Sequence, residues 1–176
     1  MNETQQKLLD AAERRMRMGG YHAVSFRDLA DDLAIKSASV HYHFRQKEDL
    51  GVALVERYSQ RFFDGLQSLL DNGTRPLEAF AQAYRAAYQA DKTGCLCGML
   101  GAETRGLPQR VADEVKRFLD RNIDWLVGAL PEDIPDEARR QGAVQVLASL
   151  QGAMMLSVSL NDDWMLDAVV DGLRSD

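Results

Sequence analysis

Residues 25–44 read SFRDLADDLAIKSASVHYHF, and this stretch decides the fold. Ser25, followed three residues later by Asp28, forms a capping-box pattern with Asp in place of the usual Glu or Gln, and it predicts a helix start. That short helix ends before residues 34–36, and Ser37 is a good N-cap for a second short helix. Two short helices joined by a tight turn, the second opening with small polar residues, are typical of a helix-turn-helix.

The rest of the chain has the same helical periodicity. Every segment with a clear hydrophobic period repeats at about 3.6 residues, and none alternates apolar and polar residues over the length of a strand. We therefore predict an all-α protein. The first helix is expected to start near Thr4, a good N-cap. Further helices are expected to start at Lys47, Pro76, near Cys95, after Pro108, at Asp136 and after Asp163.

Composition indicates a soluble, globular chain with an uneven charge distribution. The 176 residues are 45% hydrophobic and carry a net charge of −6, which as a whole argues against nucleic-acid binding. Residues 1–60, however, balance their acidic and basic groups and contain all three histidines, so the acidic excess lies entirely in the rest of the chain. This asymmetry suggests two tasks on one chain. Without a signal peptide or an uninterrupted apolar span, we expect a cytoplasmic protein and no membrane partner.

A recognition helix in the major groove needs short or planar polar side chains outside and apolar side chains inside. In the second short helix Val40 and Phe44 can anchor the inner face. The outward groups are Lys36, Ser37, Ser39, His41 and Tyr42.

The chain resembles the DNA-binding domain of the TetR/AcrR family of transcriptional regulators in three stretches, residues 24–30, 34–44 and 47–50. The chain departs from the family pattern at His41, where a Tyr is usual, and at Lys36, where a small N-cap is common. The resemblance covers about residues 4–52. It implies about nine helices, with a helix-turn-helix DNA-binding domain over residues 1–50 and an effector-binding and dimerisation domain over residues 51–176. It also implies a homodimer that binds an operator as a repressor or activator and is released by an effector.

Carried over by position, the resemblance implies two kinds of DNA contact. Lys36, Ser37, Ser39 and His41 would face bases or backbone, whereas phosphates would be contacted by Ser25, Arg27, Tyr42, His43 and Lys47. For His43 a purely structural role between helices is an equally good interpretation. His41 and His43 do not form a metal site, because positions i and i+2 diverge by about 200° on a helix and no other ligand lies at a suitable spacing. We expect no metal and no cofactor.

Residues 143–160 form a helical segment that is apolar on nearly all sides. Such a helix must be buried on all sides, which in a chain this small requires one face on its own domain and another on a second chain. The last helix is its expected partner in this interface, while a fully internal helix in a monomer is the alternative. The predicted dimer interface comprises Leu147, Gly152, Ala153, Met154, Met155, Val158 and Trp164.

The second part of the chain contains large, adaptable side chains with few charges among them, as an effector pocket requires. Most of them also fit a plain hydrophobic core. Cys95 and Cys97 lie where a helix is expected to begin, and unpaired amides there can favour a thiolate, so electrophile or redox sensing is an alternative to a noncovalent apolar or amphipathic effector. The predicted pocket residues are Tyr84, Tyr88, Cys95, Cys97, Met99, Phe118, Trp125 and Met155.

Enzymatic motifs are missing from the sequence. It contains no Gly-x-Ser-x-Gly, no phosphate-binding glycine loop and no His-Glu-x-x-His. A cysteine enzyme using Cys95 or Cys97, for which no base is indicated, is therefore a distant alternative, as is a helical interaction module that never binds DNA. We do not expect an enzyme.

Overall fold

The computed structural model describes residues 2–174, and within them it contains nine α-helices and no strand, which confirms the predicted all-α class. Met1, Ser175 and Asp176, which the predicted domains include, lie outside the described residues. The helices are α1 (Glu3–Gly19), α2 (Phe26–Asp32), α3 (Ser37–His43), α4 (Lys47–Asp71), α5 (Pro76–Gln89), α6 (Leu96–Ala102), α7 (Gln109–Ala129), α8 (Asp136–Leu160) and α9 (Trp164–Arg174).

Local signals place several helix starts correctly. Ser25 caps α2 as a complete capping box with Asp28, and Pro76 opens α5 in its first turn, where the missing N–H costs nothing. Two predicted caps are wrong. The side chain of Asn2, not Thr4, accepts from the backbone of α1, and Lys36 rather than Ser37 is the N-cap of α3, without a side-chain hydrogen bond.

The chain folds into two compact units that do not follow sequence order. The N-terminal unit contains the residues up to Ser59 together with Leu96–Lys116, and the C-terminal unit contains Gln60–Cys95 together with the residues from Arg117 onward. Helices α1, α2, α3 and α6 belong to the first unit, and α5, α8 and α9 pack together in the second. The functional division after residue 50 stays a prediction.

Helix α8 has the predicted bounds, but its apolar surface is only partly covered. Leu150 is fully buried, whereas Met155 and Leu160 are exposed. In the described part of the chain, α8 is also the one helix that is long and apolar enough to cross a membrane, yet a third of its most apolar stretch is buried inside the protein. Length and composition alone are weak evidence for a span.

Candidate functional site

Three helices of the N-terminal unit hold the helix-turn-helix. Leu8, Ala12 and Met16 of α1 are buried, α2 packs on both α1 and α3, and Val40 and Phe44 are buried as predicted. Arg15 of α1 binds Asp32 of α2 through both oxygens, at 2.7 and 2.8 Å, and this pairing lowers the pKa of the Asp32 carboxyl. Hydrophobic burial and a two-point ion pair therefore fix the orientation of α2.

The turn between α2 and α3 uses an unusual backbone conformation. Ala34 has φ +51°, the left-handed region that an L-residue adopts at a cost. Its N–H donates to the Asp31 carbonyl at 3.2 Å, and the next N–H, that of Ile35, donates to the Ala30 carbonyl at 3.0 Å. These two hydrogen bonds close α2 and redirect the chain so that Lys36 becomes the N-cap of α3.

The outward face of α3 is open to solvent. Tyr42 is 84% exposed and packs edge-on against His43, with the ring centroids 5.1 Å apart. His41 is also exposed and lies edge-on to Phe26, with the centroids 4.9 Å apart. A large aromatic side chain left uncovered on a polar helix face is available for contact with another molecule.

Other predicted DNA-binding residues surround this face. Lys36, Ser37 and Arg27 are exposed, and Ser39 and His43 are half-buried. Ser25 is exposed but already occupied, because its hydroxyl donates to the Asp28 carboxylate at 2.6 Å and lowers the pKa of that carboxyl. Phosphate binding by Ser25 would have to compete with this cap.

Lys47 at the start of α4 is held against an aromatic ring. Its ammonium lies 4.3 Å from the centroid of the Tyr21 ring, a cation–π contact. Burial lowers the pKa of Lys47, and the negative charges of Glu103 and Asp28 act against that shift. The ammonium is half-buried rather than freely mobile. Sequence reasoning did not find Tyr21 or Glu103.

The C-terminal unit contains a connected cluster of aromatic rings in its core. Phe62 packs edge-on against four rings, those of Phe63, Phe80, Tyr84 and Phe118, with centroid distances of 5.1–5.8 Å. Trp125 stacks on Phe80 at 5.3 Å, so three predicted pocket residues, Tyr84, Phe118 and Trp125, lie in this cluster.

A small polar network lies within the same core. The Tyr84 hydroxyl donates to the side-chain oxygen of Asn122 at 3.3 Å and accepts from Gln151 at 3.1 Å. The fully buried Asn122 in turn donates to the Phe118 carbonyl at 2.7 Å. Neither Asn122 nor Gln151 was among the predicted pocket residues, because an isolated Asn or Gln on a helix carries no pattern.

Tyr88 lies at a separate opening of about 460 Å³ in the C-terminal unit. Its hydroxyl donates to Asp163 at 2.7 Å, and Lys92 binds the other oxygen of that carboxylate. Burial first, and Asp163 second, raise the pKa of Tyr88 to about 12. Of the remaining predicted pocket residues, Met155 is exposed on α8, Cys95 belongs to the C-terminal unit, and Cys97 and Met99 belong to the N-terminal unit.

Cys95 and Cys97 are not joined in a disulfide, and both thiols are buried. Cys97 lies in the first turn of α6, and Cys95 immediately precedes that helix. A reagent in solution reaches neither thiol without a local opening.

The predicted interface residues on α8 and α9 separate into two sets. Met155, Val158 and Trp164 are exposed to 59, 42 and 66%, whereas Leu147, Ala153 and Met154 are buried inside their own chain. Gly152 faces open space, because no atom lies within 4 Å of the position that a Cβ would occupy there. Sequence reasoning missed five further exposed apolar residues of α8, namely Ala138, Val144, Ala148, Leu156 and Leu160.

Comparison with known proteins identifies the N-terminal helices. The family described as "Bacterial regulatory proteins, tetR family" matches residues 8–54. The chain is 31% identical over 84 residues to the transcriptional repressor KstR2 of Mycolicibacterium smegmatis, covering 48% of this chain and 41% of that protein. It is also 31% identical over 109 residues to the regulator AcuR of Cereibacter sphaeroides, covering 58% and 50%. The chain thus spans half or less of these curated relatives.

Solved structures extend the similarity to the whole chain. A TetR transcriptional regulator from Legionella pneumophila superposes with a TM-score of 0.89 at 28% identity, covering 98% of this chain and 96% of that one. The reduced form of NemR from Escherichia coli gives a TM-score of 0.78 at 21% identity with the same coverage, which shows a shared fold. Residues 8–54 thus match the tetR family of bacterial regulatory proteins, and the whole chain shares the fold of a solved TetR transcriptional regulator.

Proposed function

We propose that this protein is a cytoplasmic, homodimeric repressor that binds a palindromic DNA operator through α3 and leaves it when a small molecule binds the C-terminal unit. The observation that carries the DNA-binding part is the open face of α3, where Tyr42 and His41 project beside Lys36. Val40 and Phe44 hold the opposite face in the core, so the helix has one surface left to place in a groove.

The side chains on this surface suit different parts of a duplex. Ser39 and His41 can reach base edges from the middle of α3, and Lys36 can bind bases or backbone from its start. Tyr42, Arg27 and Lys47 offer a phenol and two cations at the rim, where phosphates lie. Three residues are secondary candidates. The Ser25 hydroxyl is occupied in the cap of α2, Ser37 has a short side chain, and His43 is half-buried.

Phosphate and base contacts differ in their dependence on salt and sequence. We expect Tyr42→Ala and Lys47→Ala to weaken binding to all duplexes alike, and Lys47→Ala to lower the slope of log K against log salt by about one unit. Ser39→Ala and His41→Ala should instead change which sequences the protein selects from a randomised duplex pool. Fluorescence anisotropy with labelled duplexes measures both effects.

A matched control is Lys116→Ala, which removes one cation from an exposed position on α7. If the Tyr42→Ala/Lys47→Ala protein keeps its helical circular dichroism and still binds duplex like the parent, the α3 surface is not the DNA-binding surface.

A second copy of the chain is the proposed partner of the exposed α8–α9 face. Met155, Val158, Leu160 and Trp164 present apolar area on it, and Gly152 lets a neighbouring backbone approach closely. The same helices pack inward through Leu147, Ala153 and Met154, which we therefore leave out of the proposed interface. A two-fold dimer also presents two copies of α3, as recognition of a palindrome requires.

The dimer is tested by charge insertion. Val158→Arg is expected to yield a folded monomer in light scattering with weakened operator binding, because an unpaired guanidinium cannot be buried in an apolar interface. Gln89→Arg, at an exposed position of α5, is the control and should leave the dimer intact. Wild-type protein that is monomeric in light scattering would contradict the proposal.

The aromatic cluster is the proposed effector region. Its six rings, Phe62, Phe63, Phe80, Tyr84, Phe118 and Trp125, are combined with a polar network at Tyr84, so it suits an apolar or amphipathic molecule with one polar group. Met99 and Tyr88 are less favoured because they lie outside this cluster.

Trp125 provides a direct readout of effector binding. The chain has two tryptophans, so the Trp164→Phe variant leaves Trp125, stacked on Phe80, as the sole indole. Compounds that release this variant from operator DNA should also change its fluorescence. Release without any change in Trp125 emission would place the effector elsewhere.

Thiol sensing is the second candidate, favoured by the two free cysteines at the start of α6 and by the shared fold with NemR, which was solved in its reduced form. Burial of both thiols argues for slow reaction. Operator release by electrophiles that disappears in the Cys95→Ser/Cys97→Ser protein would establish this candidate, and release by unreactive lipophilic compounds would favour the noncovalent one.

A further inference from the structure

Glu103, which follows α6, binds the backbone just after α1, although the two segments are distant in sequence. Its carboxylate accepts a hydrogen bond from the Tyr21 backbone N–H at 2.9 Å, across 82 residues of chain. Both residues belong to the N-terminal unit. Because the acceptor is charged, this is one of the stronger kinds of hydrogen bond.

Gly20 provides the space for that carboxylate. Its backbone has φ +76° and ψ −174°, a conformation that only glycine adopts readily. A Cβ placed on Gly20 would lie 1.8 Å from the nearer oxygen of Glu103. The missing side chain thus serves both the backbone conformation and the close approach of Glu103.

The side chain of Tyr21 contacts the first turns of α4. A Cβ built on Gly51 would lie 3.2 Å from the Tyr21 ring, so the ring packs directly on the α4 backbone. The same ring carries the Lys47 ammonium, 4.3 Å from its centroid. Glu103 fixes the backbone of the residue whose ring supports Lys47.

Ion pairs also join α7 to the N-terminal end of α4. Arg110 binds Asp49 at 2.8 Å and lies 4.0 Å from Glu48. The segment that contains Glu103 and Arg110 therefore contacts the start of α4 directly through Arg110 and indirectly through Tyr21, and all of these residues lie within the N-terminal unit.

We propose that Glu103 is a positioning residue for DNA binding, because it holds Tyr21 and, through the Tyr21 ring, places the Lys47 ammonium for contact with a phosphate. This inference rests on the proposed function of Lys47. The expected effect of removing Glu103 is weaker DNA binding. Simple electrostatics predicts the opposite, because removing a carboxylate from a DNA-binding unit should by itself strengthen binding to a polyanion.

The test uses the full chain and a labelled duplex of mixed sequence, because a phosphate contact does not depend on sequence. Glu103→Ala should weaken binding about fivefold or more, whereas Glu103→Gln, whose amide oxygen can still accept from Tyr21, should bind within about twofold of the parent. The Glu103→Ala/Lys47→Ala protein should bind no more weakly than Lys47→Ala alone, because the two residues act through one contact. Glu132→Ala, an exposed loop carboxylate, is the charge-matched control.

Hydrogen exchange provides a readout that does not involve DNA. The Tyr21 amide should exchange faster in Glu103→Ala and keep its protection in Glu103→Gln. Tighter binding by both Glu103 variants, or unchanged binding and exchange in Glu103→Ala, would overturn the positioning role while leaving the proposed function intact. A parent protein without salt-dependent duplex affinity would instead refute the proposed function, and this inference with it.

Discussion

Replacing Gly20 with alanine should be among the most destabilising single changes in the N-terminal unit. The backbone at φ +76° and ψ −174° costs a non-glycine residue about 1–3 kcal/mol. The new Cβ would lie 1.8 Å from Glu103 and would expel its carboxylate, which forfeits a charge-assisted hydrogen bond worth about 1.5–3 kcal/mol. We expect a total loss of about 2.5–6 kcal/mol in the free energy of unfolding, measured by urea denaturation with circular dichroism.

Gly73 provides a matched control, because it also has a positive φ, +83°, but no atom lies within 4 Å of its Cβ position. Gly73→Ala should cost only the backbone strain, about 1–2 kcal/mol. The Gly20→Ala/Glu103→Ala protein should be no less stable than Gly20→Ala, since the hydrogen bond is already lost in the single variant. If the stability loss of the double variant equals the sum of the Gly20→Ala and Glu103→Ala losses to within about 0.5 kcal/mol, the steric coupling between Gly20 and Glu103 is refuted.

Three further predictions concern single residues. Ala34→Gly should raise the free energy of unfolding by about 0.5–1 kcal/mol in urea denaturation, because glycine removes the left-handed strain at φ +51°; a loss of stability would contradict this. Tyr88 has a pKa near 12, above its ordinary 10.0, so its neutral phenol contributes stability that is complete below pH 10 and is lost as the pH rises through 12. Tyr88→Phe should remove that part of the alkaline loss and one tyrosinate absorbance step near pH 12. Asn122→Ala should cost about 2–4 kcal/mol, since it forms a cavity and leaves the Tyr84 hydroxyl and a buried carbonyl without this partner; a cost below about 1 kcal/mol would contradict it.

Helix starts were predictable wherever one residue and its near neighbours contain the whole signal. The Ser25–Asp28 capping box and the proline at position 76 satisfy the backbone within one turn, so no distant contact is needed to specify them. The predicted caps at Thr4 and Ser37 failed because a neighbouring residue, Asn2 or Lys36, occupies the cap position instead. A shift of one or two residues is within the natural ambiguity of helix ends.

The sequence by itself determined the helical class, the helix-turn-helix and the full extent of α8, because hydrophobic period, capping and turn chemistry are local. It could not determine which side of α8 faces inward, since a helix that is apolar all round has no preferred face until other helices pack on it. Only the tertiary structure separated buried Met154 from exposed Met155. It alone brought Glu103 to Tyr21, because a contact across 82 residues depends on how the helices pack and leaves no periodic trace in the chain.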